Sequence, residues 1–362
     1  ARAVAALSSR AMSIAESPRG LAERVIAGHD PLTFEELCAL FEARPADPWP
    51  LLWEADRVRR HFFGNEVHVC SIVNAKVGGC PEDCGFCSQS AHFKTAVKPD
   101  GWVAPETVRH AADEARARGA LALGIVTATR GVARGKDLDR VLADVAALRA
   151  AGGIEAHASL GLMSEEDLRT LAAAGVTEFN HNLETGRGFF ERIVTTHTYD
   201  DRIATIRAAR AAGMRTCVGG ILGMGEEPRH RAELVVTLRE LDVDEVPVNF
   251  LVSVEGTALQ KHEPPRPMEM LLMLAAFRLG LRDKNVFVCA GRHHLGDLMP
   301  FIFTAGASGL MVGDFLTTPN RNVDDDLRML DALGLRVRPC GTRPAVARAL
   351  AAGAPDPAPA AA

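Results

Sequence analysis

Residues 67–87 read VHVCSIVNAKVGGCPEDCGFC, a β-branched run that leads directly into three closely spaced cysteines. The first part, 67–75, predicts a buried strand. Similar runs recur along the chain, which makes eight predicted strands; the other seven are 120–127, 154–160, 176–182, 214–222, 245–252, 286–291 and 308–313. The cysteines therefore fall on the loop that follows the first of eight strands.

The segments between these strands have the 3.6-residue period of helices. In 135–151, one apolar stripe is formed by Leu138, Val141, Leu142, Val145 and Leu148. Alternation of strands and helices predicts an α/β protein whose strands close into a (β/α)8 TIM-type barrel. An open, doubly wound sheet is the alternative.

The chain divides into four parts by composition. Residues 20–63 predict helices that precede the barrel, and 64–350 predict the barrel itself. Residues 1–19 are rich in Ala, Ser and Arg, which is typical of a disordered lead-in or of an organellar transit peptide. Residues 351–362 are almost only Ala and Pro, so we expect a disordered tail.

Composition excludes several classes of function. The net charge of −5 lacks the basic excess of nucleic-acid-binding proteins. We find no unbroken apolar run of about 20 residues, so no membrane span is expected. The 8 cysteines are too few and too clustered for a disulfide scaffold, which favours a metal site in a reducing compartment, the cytoplasm.

Cys80, Cys84 and Cys87 lie at the carboxyl end of the first strand, where barrels of this kind carry their chemistry. Three thiolates on a short loop suit a [4Fe–4S] cluster with one iron left open. The alternative is zinc, with His92 as a fourth ligand, but a second pair of cysteines is missing.

The spacing Cys-x3-Cys-x2-Cys, with the aromatic Phe86 before the last cysteine, resembles the radical S-adenosylmethionine (SAM) superfamily. The resemblance implies that the open iron chelates SAM, and that one electron cleaves SAM to give a 5′-deoxyadenosyl radical. The protein then has to position and shield the cofactor.

Further stretches resemble the biotin synthase family, over roughly residues 45–335. They are NAKVGGC (74–80), CSQS (87–90), FNHNLE (179–184), TTHTYDDR (195–202), CVGGILGMGE (217–226), VPVN (246–249), GT (256–257), AGR (290–292) and LTT (316–318). The resemblance implies a sulfurtransferase that inserts sulfur into dethiobiotin with two SAM molecules. It also implies a flavodoxin or ferredoxin as reductant, and a homodimer.

The same resemblance assigns roles to individual residues. It implies that Asn182 contacts both SAM and the substrate, and that Asn249 binds the substrate ring. The remaining implied contacts to SAM are Phe86, Glu184, Arg202, Gly219, Gly220 and Glu226. The two glycines would let the backbone approach a ligand closely, although glycines of this kind are also common in turns.

The chain departs from the family at the second cluster, a [2Fe–2S] group held by three cysteines and an arginine. Cys217 alone is kept, and the other positions are Gly124, His157 and Phe287. Two unusual cysteines, Cys70 and Cys289, also fall on predicted strands.

Because alternate residues of a strand share a face, Cys289 should point where the family arginine would point. We therefore expect Cys70, Cys217, Cys289 and His157 to hold a relocated auxiliary iron–sulfur cluster. The alternative is that the cysteines pack as small apolar residues.

Three functions remain open at this stage. The first is biotin formation. The second is a related radical SAM reaction without sulfur insertion, which the loss of the usual second-cluster ligands favours. The third is a non-catalytic metal-binding or iron-storage protein, which the many matches at strand ends disfavour.

Overall fold

The computed structural model describes Ile14, residues 17–318 and residues 320–338. The expected disordered tail at 351–362 and nearly all of the expected lead-in lie outside the described residues. Within the described residues, no helix is both long enough and apolar enough to cross a membrane.

Eight parallel strands form a closed barrel, as the sequence predicts. In barrel order they are β1 Glu66–Val77, β2 Ala122–Thr127, β3 Glu155–Ser159, β4 Val176–Asn180, β5 in two segments (Arg215–Cys217 and Gly220–Leu222), β6 Glu245–Phe250, β7 Asn285–Val288 and β8 Gly309–Met311. The barrel closes where β8 pairs with β1, with His68 opposite Gly309. The open, doubly wound alternative is therefore wrong.

Two short strands extend β1 beyond the ring. Gly101–Trp102 pairs antiparallel with its carboxyl end, and Arg336–Val337 pairs parallel with its amino end. These additions leave the ring of eight strands intact.

Within the described ranges, three helices precede the barrel and eight surround it. They are α1 Leu21–Ala27, α2 Phe34–Glu42, α3 Trp49–Phe63, α4 Pro105–Ala117, α5 Lys136–Ala151, α6 Glu165–Ala174, α7 Arg187–Phe190, α8 Tyr199–Ala211, α9 Pro228–Glu240, α10 Pro267–Leu281 and α11 Val323–Ala332, with a 3-10 segment at Arg292–Ile302. The N-terminal helices pack over the outside, α2 against α9 and α3 against α10.

The position of α10 between the barrel and the N-terminal helices explains its composition. Every residue of 270–281 is buried, so this helix has no solvent-facing stripe. The one charged side chain in that stretch, Arg278, donates hydrogen bonds to the carbonyls of Gly306, Arg282 and Lys284. Burial of its guanidinium is thus offset by hydrogen bonds.

The start of α8 bears directly on the site. Thr198 caps the helix by accepting a hydrogen bond from the Asp201 amide, and the Asp201 carboxylate accepts one from the Thr198 amide. This capping box stops the helix from extending toward the loop that carries Cys80, Cys84 and Cys87, which we call the cysteine loop. It places Arg202 in the first turn, at the mouth of the barrel.

Candidate active site

A cavity of about 410 Å³ opens at the carboxyl ends of the strands. Five parts of the chain contribute predicted site residues to its lining: the loop after β1, the ends of β4, β6 and β7, and the first turn of α8. These residues are Cys80, Cys84, Phe86, Cys87, Asn182, Glu184, Arg202, Asn249 and Cys289. The structure thus brings together residues that are far apart in the sequence, from Cys80 to Cys289.

The cysteine loop is shaped by backbone hydrogen bonds. The Cys80 amide donates to the carbonyl of Gln89 (3.0 Å), and the Cys87 amide donates to the carbonyl of Cys84 (2.9 Å). The Gln89 side chain accepts hydrogen bonds from the Asn74 amide group and the Gly78 backbone, both at 3.0 Å. The loop is therefore held in place independently of any bound metal.

The donor set fits a metal cluster. All three thiols are free, and burial raises the pKa of Cys84 to about 12 and that of Cys87 to about 11. Burial also raises the pKa of Cys80. Since ligation requires thiolates, only a strongly bound cation would deprotonate such a trio.

The zinc alternative has no support from His92. Its side chain is exposed, its Nε2 lies 2.9 Å from the Pro81 carbonyl, and it is not among the described residues that line the cavity.

Polar atoms at the end of β4 are buried without a protein partner. They are Asn180 Oδ1, His181 Nε2 and Glu184 Oε2. Burial raises the pKa of Glu184 and lowers that of His181 well below its ordinary value. Buried polar atoms are nearly always hydrogen-bonded, so these three indicate that the cavity binds a polar ligand.

Arg202 and the two asparagines are held by the backbone. Arg202 Nη1 donates to the Asn182 carbonyl (2.7 Å) and lies 3.5 Å from Glu184 Oε1. The Asn182 side chain accepts from the Gly219 amide (3.0 Å), and Asn249 Oδ1 accepts from the Ala290 amide (3.1 Å). Their orientation is thus set before any ligand binds.

Gly219 and Gly220 are used for contact between strands. A Cβ on Gly219 would lie 1.9 Å from the Pro247 carbonyl oxygen, and one on Gly220 would lie 2.4 Å from that of Glu184. Neither glycine is among the described residues that line the cavity. Close backbone packing accounts for both glycines, and their contact with SAM stays a prediction.

Glu226 is also turned toward protein. Its carboxylate accepts hydrogen bonds from the amides of Gly223 (2.9 Å) and Met224 (2.8 Å) and from Arg231 Nε (2.7 Å). It shapes the loop after β5, outside the described lining of the cavity, so its predicted contact with SAM also stays a prediction.

Cys70, Cys217 and Cys289 lie together inside the barrel, and their binding of an auxiliary cluster stays a prediction. They form one buried contact cluster with Phe287, which we call the inner cysteine cluster. Burial raises the pKa of all three thiols. Cys289 and Phe287 also line the cavity, so this cluster lies directly beneath the cysteine loop's cavity.

The two ring nitrogens of His157 lie beside carboxylates. Its Nδ1 lies 3.0 Å from Glu178 Oε1, and its Nε2 lies 3.4 Å from Glu155 Oε2. These carboxylates outweigh burial and raise the pKa of His157 to about 9. Both ring nitrogens thus lie beside charged protein groups, since Nε2 is also 3.2 Å from Arg215 Nη2, and the role of His157 as a ligand of the auxiliary cluster stays a prediction.

Sequence reasoning missed the group around His157. We call it the lower ion network, and its members are His68, Glu155, His157, Glu178, Arg215 and Glu245. Ligand atoms of Glu178, Cys217 and Glu245 lie within 4.8 Å of one another, so the network touches the inner cysteine cluster. The available signal was the presence of glutamates inside predicted buried strands, where charged residues are rare unless paired.

Comparison with known proteins agrees with this geometry. The model of the radical SAM superfamily matches residues 76–238, and that of the biotin and thiamin synthesis associated domain matches residues 247–336. A biotin synthase of Geotalea daltonii is 44% identical over 88% of this chain and 97% of its own. One from Geobacter metallireducens is 45% identical with the same coverage.

Solved structures show the same fold. Methylornithine synthase superposes with a TM-score of 0.77 at 20% identity, covering 91% of this chain and 99% of its own. A [FeFe]-hydrogenase maturase gives 0.74 at 14% identity, covering 92% of this chain and 78% of its own. These distant likenesses concern the fold, whereas the close relatives decide the family: the chain belongs to the biotin synthase family of radical SAM enzymes.

Proposed function

We propose that this chain inserts sulfur into dethiobiotin to form biotin, within a barrel at 64–350. The observation that carries the proposal is the meeting, around one cavity, of three free cysteines above and the inner cysteine cluster below. A substrate between them would have a radical source on one side and a sulfur source on the other.

Cys80, Cys84 and Cys87 would hold the [4Fe–4S] cluster. When bound, this cluster and SAM supply the carbon-centred radical that removes hydrogen from an unactivated carbon. The chain's own part is to exclude water and fix positions: Phe86 lines the cavity beside the cysteines, and the strand ends close it from the other side.

SAM recognition would rest on charge and on open hydrogen-bond capacity. The Arg202 guanidinium suits the carboxylate of SAM, and the unpartnered Glu184 Oε2 suits a hydroxyl or ammonium donor. Asn182 lines the same cavity and would contact SAM and substrate. Glu226, Gly219 and Gly220 would act indirectly, through the strand ends and the loop that they shape.

Substrate recognition would use amides from two strands. Asn182 follows β4, and Asn249 lies near the end of β6, so their side chains reach the cavity from separate strands. Amide groups pair well with the cyclic urea of dethiobiotin, which has both donors and acceptors. The side chains are already fixed by backbone groups, which lowers the entropy lost on binding.

The inner cysteine cluster would hold the auxiliary iron–sulfur cluster, which when bound supplies the inserted sulfur. Three thiols contributed by β1, β5 and the end of β7 suit such a group. Inert packing of these cysteines is the competing explanation. It would favour a related radical reaction without sulfur insertion, given that Gly124, His157 and Phe287 replace the usual ligands.

Two partners complete the proposal. Radical formation requires one electron for each SAM, which a flavodoxin or ferredoxin would deliver. We also propose a homodimer, following the family resemblance.

The test is anaerobic reconstitution with iron and sulfide, followed by addition of SAM, dethiobiotin and a reductant. We expect biotin, with two molecules of 5′-deoxyadenosine formed for each biotin. A Cys217→Ser variant should still form 5′-deoxyadenosine but no biotin. Cys38→Ser is the matched control, because Cys38 lies on α2, outside the described lining of the cavity.

Two outcomes would contradict parts of this proposal. Normal biotin formation by Cys217→Ser would show that the inner cysteines are inert. Formation of 5′-deoxyadenosine without any biotin in the wild type would favour the reaction without sulfur insertion.

A further inference from the structure

Glu82 lies between two predicted cluster ligands, Cys80 and Cys84, and is buried. Its carboxylate accepts hydrogen bonds from His197 Nδ1, from the Thr196 hydroxyl and from Arg130 Nη1, the last at 2.9 Å. The side chain is therefore bonded to the segment that precedes α8 and to Arg130.

His197 connects Glu82 to Arg202. Its side chain is buried, and its Nε2 accepts a hydrogen bond from Arg202 Nε at 2.9 Å. An arginine nitrogen can only donate, so Nε2 must carry a lone pair and the proton must lie on Nδ1, facing Glu82. Burial first, and then Arg202, lower the pKa of His197, in agreement with this neutral tautomer.

Arg202 is thereby oriented at the cavity. Nε is held by His197, and Nη1 is held by the Asn182 carbonyl at 2.7 Å. Nη2 has no partner among the described protein groups, and Arg202 lines the cavity. The Phe190 ring, 5.7 Å from the guanidinium carbon, closes the remaining side. The free end of the guanidinium is thus the part presented to a ligand.

We propose that Glu82 and His197 form a hydrogen-bond relay that couples the seating of the cysteine loop to the orientation of Arg202, so that His197 is a positioning residue for SAM. The inference rests on the proposed function, because it takes Arg202 as the group that meets the SAM carboxylate. It adds two residues that line the cavity but whose side-chain hydrogen bonds go to protein groups.

A second set of hydrogen bonds joins the cysteine loop to residues 193–196. Asp83 accepts hydrogen bonds from the amides of Thr195 (2.9 Å) and Thr196 (3.2 Å), and the Gly85 amide donates to the Ile193 carbonyl (2.8 Å). These bonds already fasten the loop to 193–196 without His197. Removal of the His197 imidazole should therefore leave the cluster in place and disturb Arg202 alone.

The experiment measures SAM affinity in the cluster-loaded protein by equilibrium dialysis, together with iron and sulfide content and the EPR change of the reduced cluster on SAM addition. His197→Phe keeps an aromatic ring but removes the acceptor, and we expect about a tenfold weaker Kd for SAM. His197→Gln retains an acceptor and should recover most of the affinity. His230→Phe, a buried histidine outside the described cavity lining, is the matched control and should bind SAM normally.

A double variant separates positioning from a general structural effect. If His197 acts only through Arg202, His197→Phe should change the Kd no further in an Arg202→Ala background. Additive losses, an unchanged Kd in His197→Phe, or loss of iron from both His197 variants would each overturn the relay. A loaded wild type that does not bind SAM would overturn the proposed function as well.

Discussion

The mouth and the lower interior of the barrel differ in how their buried carboxylates and other polar groups are partnered. At the mouth, Asn180, His181 and Glu184 each keep a buried polar atom without a protein partner. In the lower ion network, Glu178 instead meets His157 and Arg215, and Glu245 meets His68. One region is open to a polar ligand, whereas the carboxylates of the other are paired within the protein.

This difference indicates that the mouth serves to bind a ligand, whereas the lower ion network serves to hold the strands in place. Unpaired buried atoms cost free energy that a ligand can recover, so the mouth is arranged for occupancy. Paired buried charges fix relative positions, and their net contribution to stability is small because desolvation offsets attraction. Between the two regions lies the inner cysteine cluster, whose thiols adjoin the carboxylates of the network.

The largest expected effect comes from removing the cysteine loop's thiols while leaving the interior intact. A Cys80→Ala, Cys84→Ala, Cys87→Ala triple variant should lose SAM cleavage completely, because Cys289, the other described cysteine that lines the cavity, belongs to the inner cysteine cluster and not to the cysteine loop. It should still hold iron and inorganic sulfide, bound by the inner cysteine cluster. Iron and sulfide analysis after anaerobic reconstitution checks both statements.

Absence of iron from the triple variant would contradict the proposed auxiliary cluster. A metal-free triple variant, beside a wild type with only one cluster's iron, would assign Cys70, Cys217 and Cys289 to apolar packing. A second triple variant, with alanine at those three positions, should then match the wild type in iron content.

The mouth could be predicted from sequence because its signals are local. Cys80, Cys84 and Cys87 fall within one turn-rich loop, and the strand that precedes them is a continuous β-branched run. Strand order follows from alternation with helices, since parallel neighbours in a barrel succeed one another along the chain. The barrel places Asn182 and Asn249 at strand ends around one opening, and the family resemblance adds Arg202.

The lower interior could not be predicted in the same way because its contacts depend on register. The pairing of β3 with β4 shifts between Ala156 and His157, and this shift sets His157 opposite Glu178. No local pattern in the sequence specifies such an irregularity. The sequence therefore indicates an inward-facing histidine but does not reveal that carboxylates occupy its nitrogens.

Substitution of Gly219 tests how far close backbone packing stabilises the mouth of the barrel. Gly219→Ala would drive a Cβ into the Pro247 carbonyl, 1.9 Å away, and should lower the free energy of unfolding by about 3 kcal/mol. Gly119→Ala is the control: φ is +79° there, yet nothing lies within 4 Å of the added carbon. We expect it to cost about 1 kcal/mol, from backbone strain alone.

Urea unfolding of the reconstituted proteins under anaerobic conditions measures both glycine variants. Equal losses in the two would show that β5 can move away from β6. The mouth would then be more adaptable than its close contacts indicate.

The smallest effect concerns the lower ion network and its pH dependence. Burial lowers the pKa of His157, but Glu178 and Glu155 outweigh it and raise the pKa from its ordinary value of 6.5 to about 9 in the folded protein. A raised pKa gives stabilisation that is complete below pH 6.5 and is lost as the pH rises through 9. Wild type should lose roughly 3 kcal/mol over this interval. His157→Gln, which cannot titrate, should lack this loss, so the difference in unfolding free energy between the two proteins should shrink as the pH rises. A pH-independent difference would mean that His157 is neutral in the folded protein, and a ring nitrogen would again be open to the auxiliary cluster.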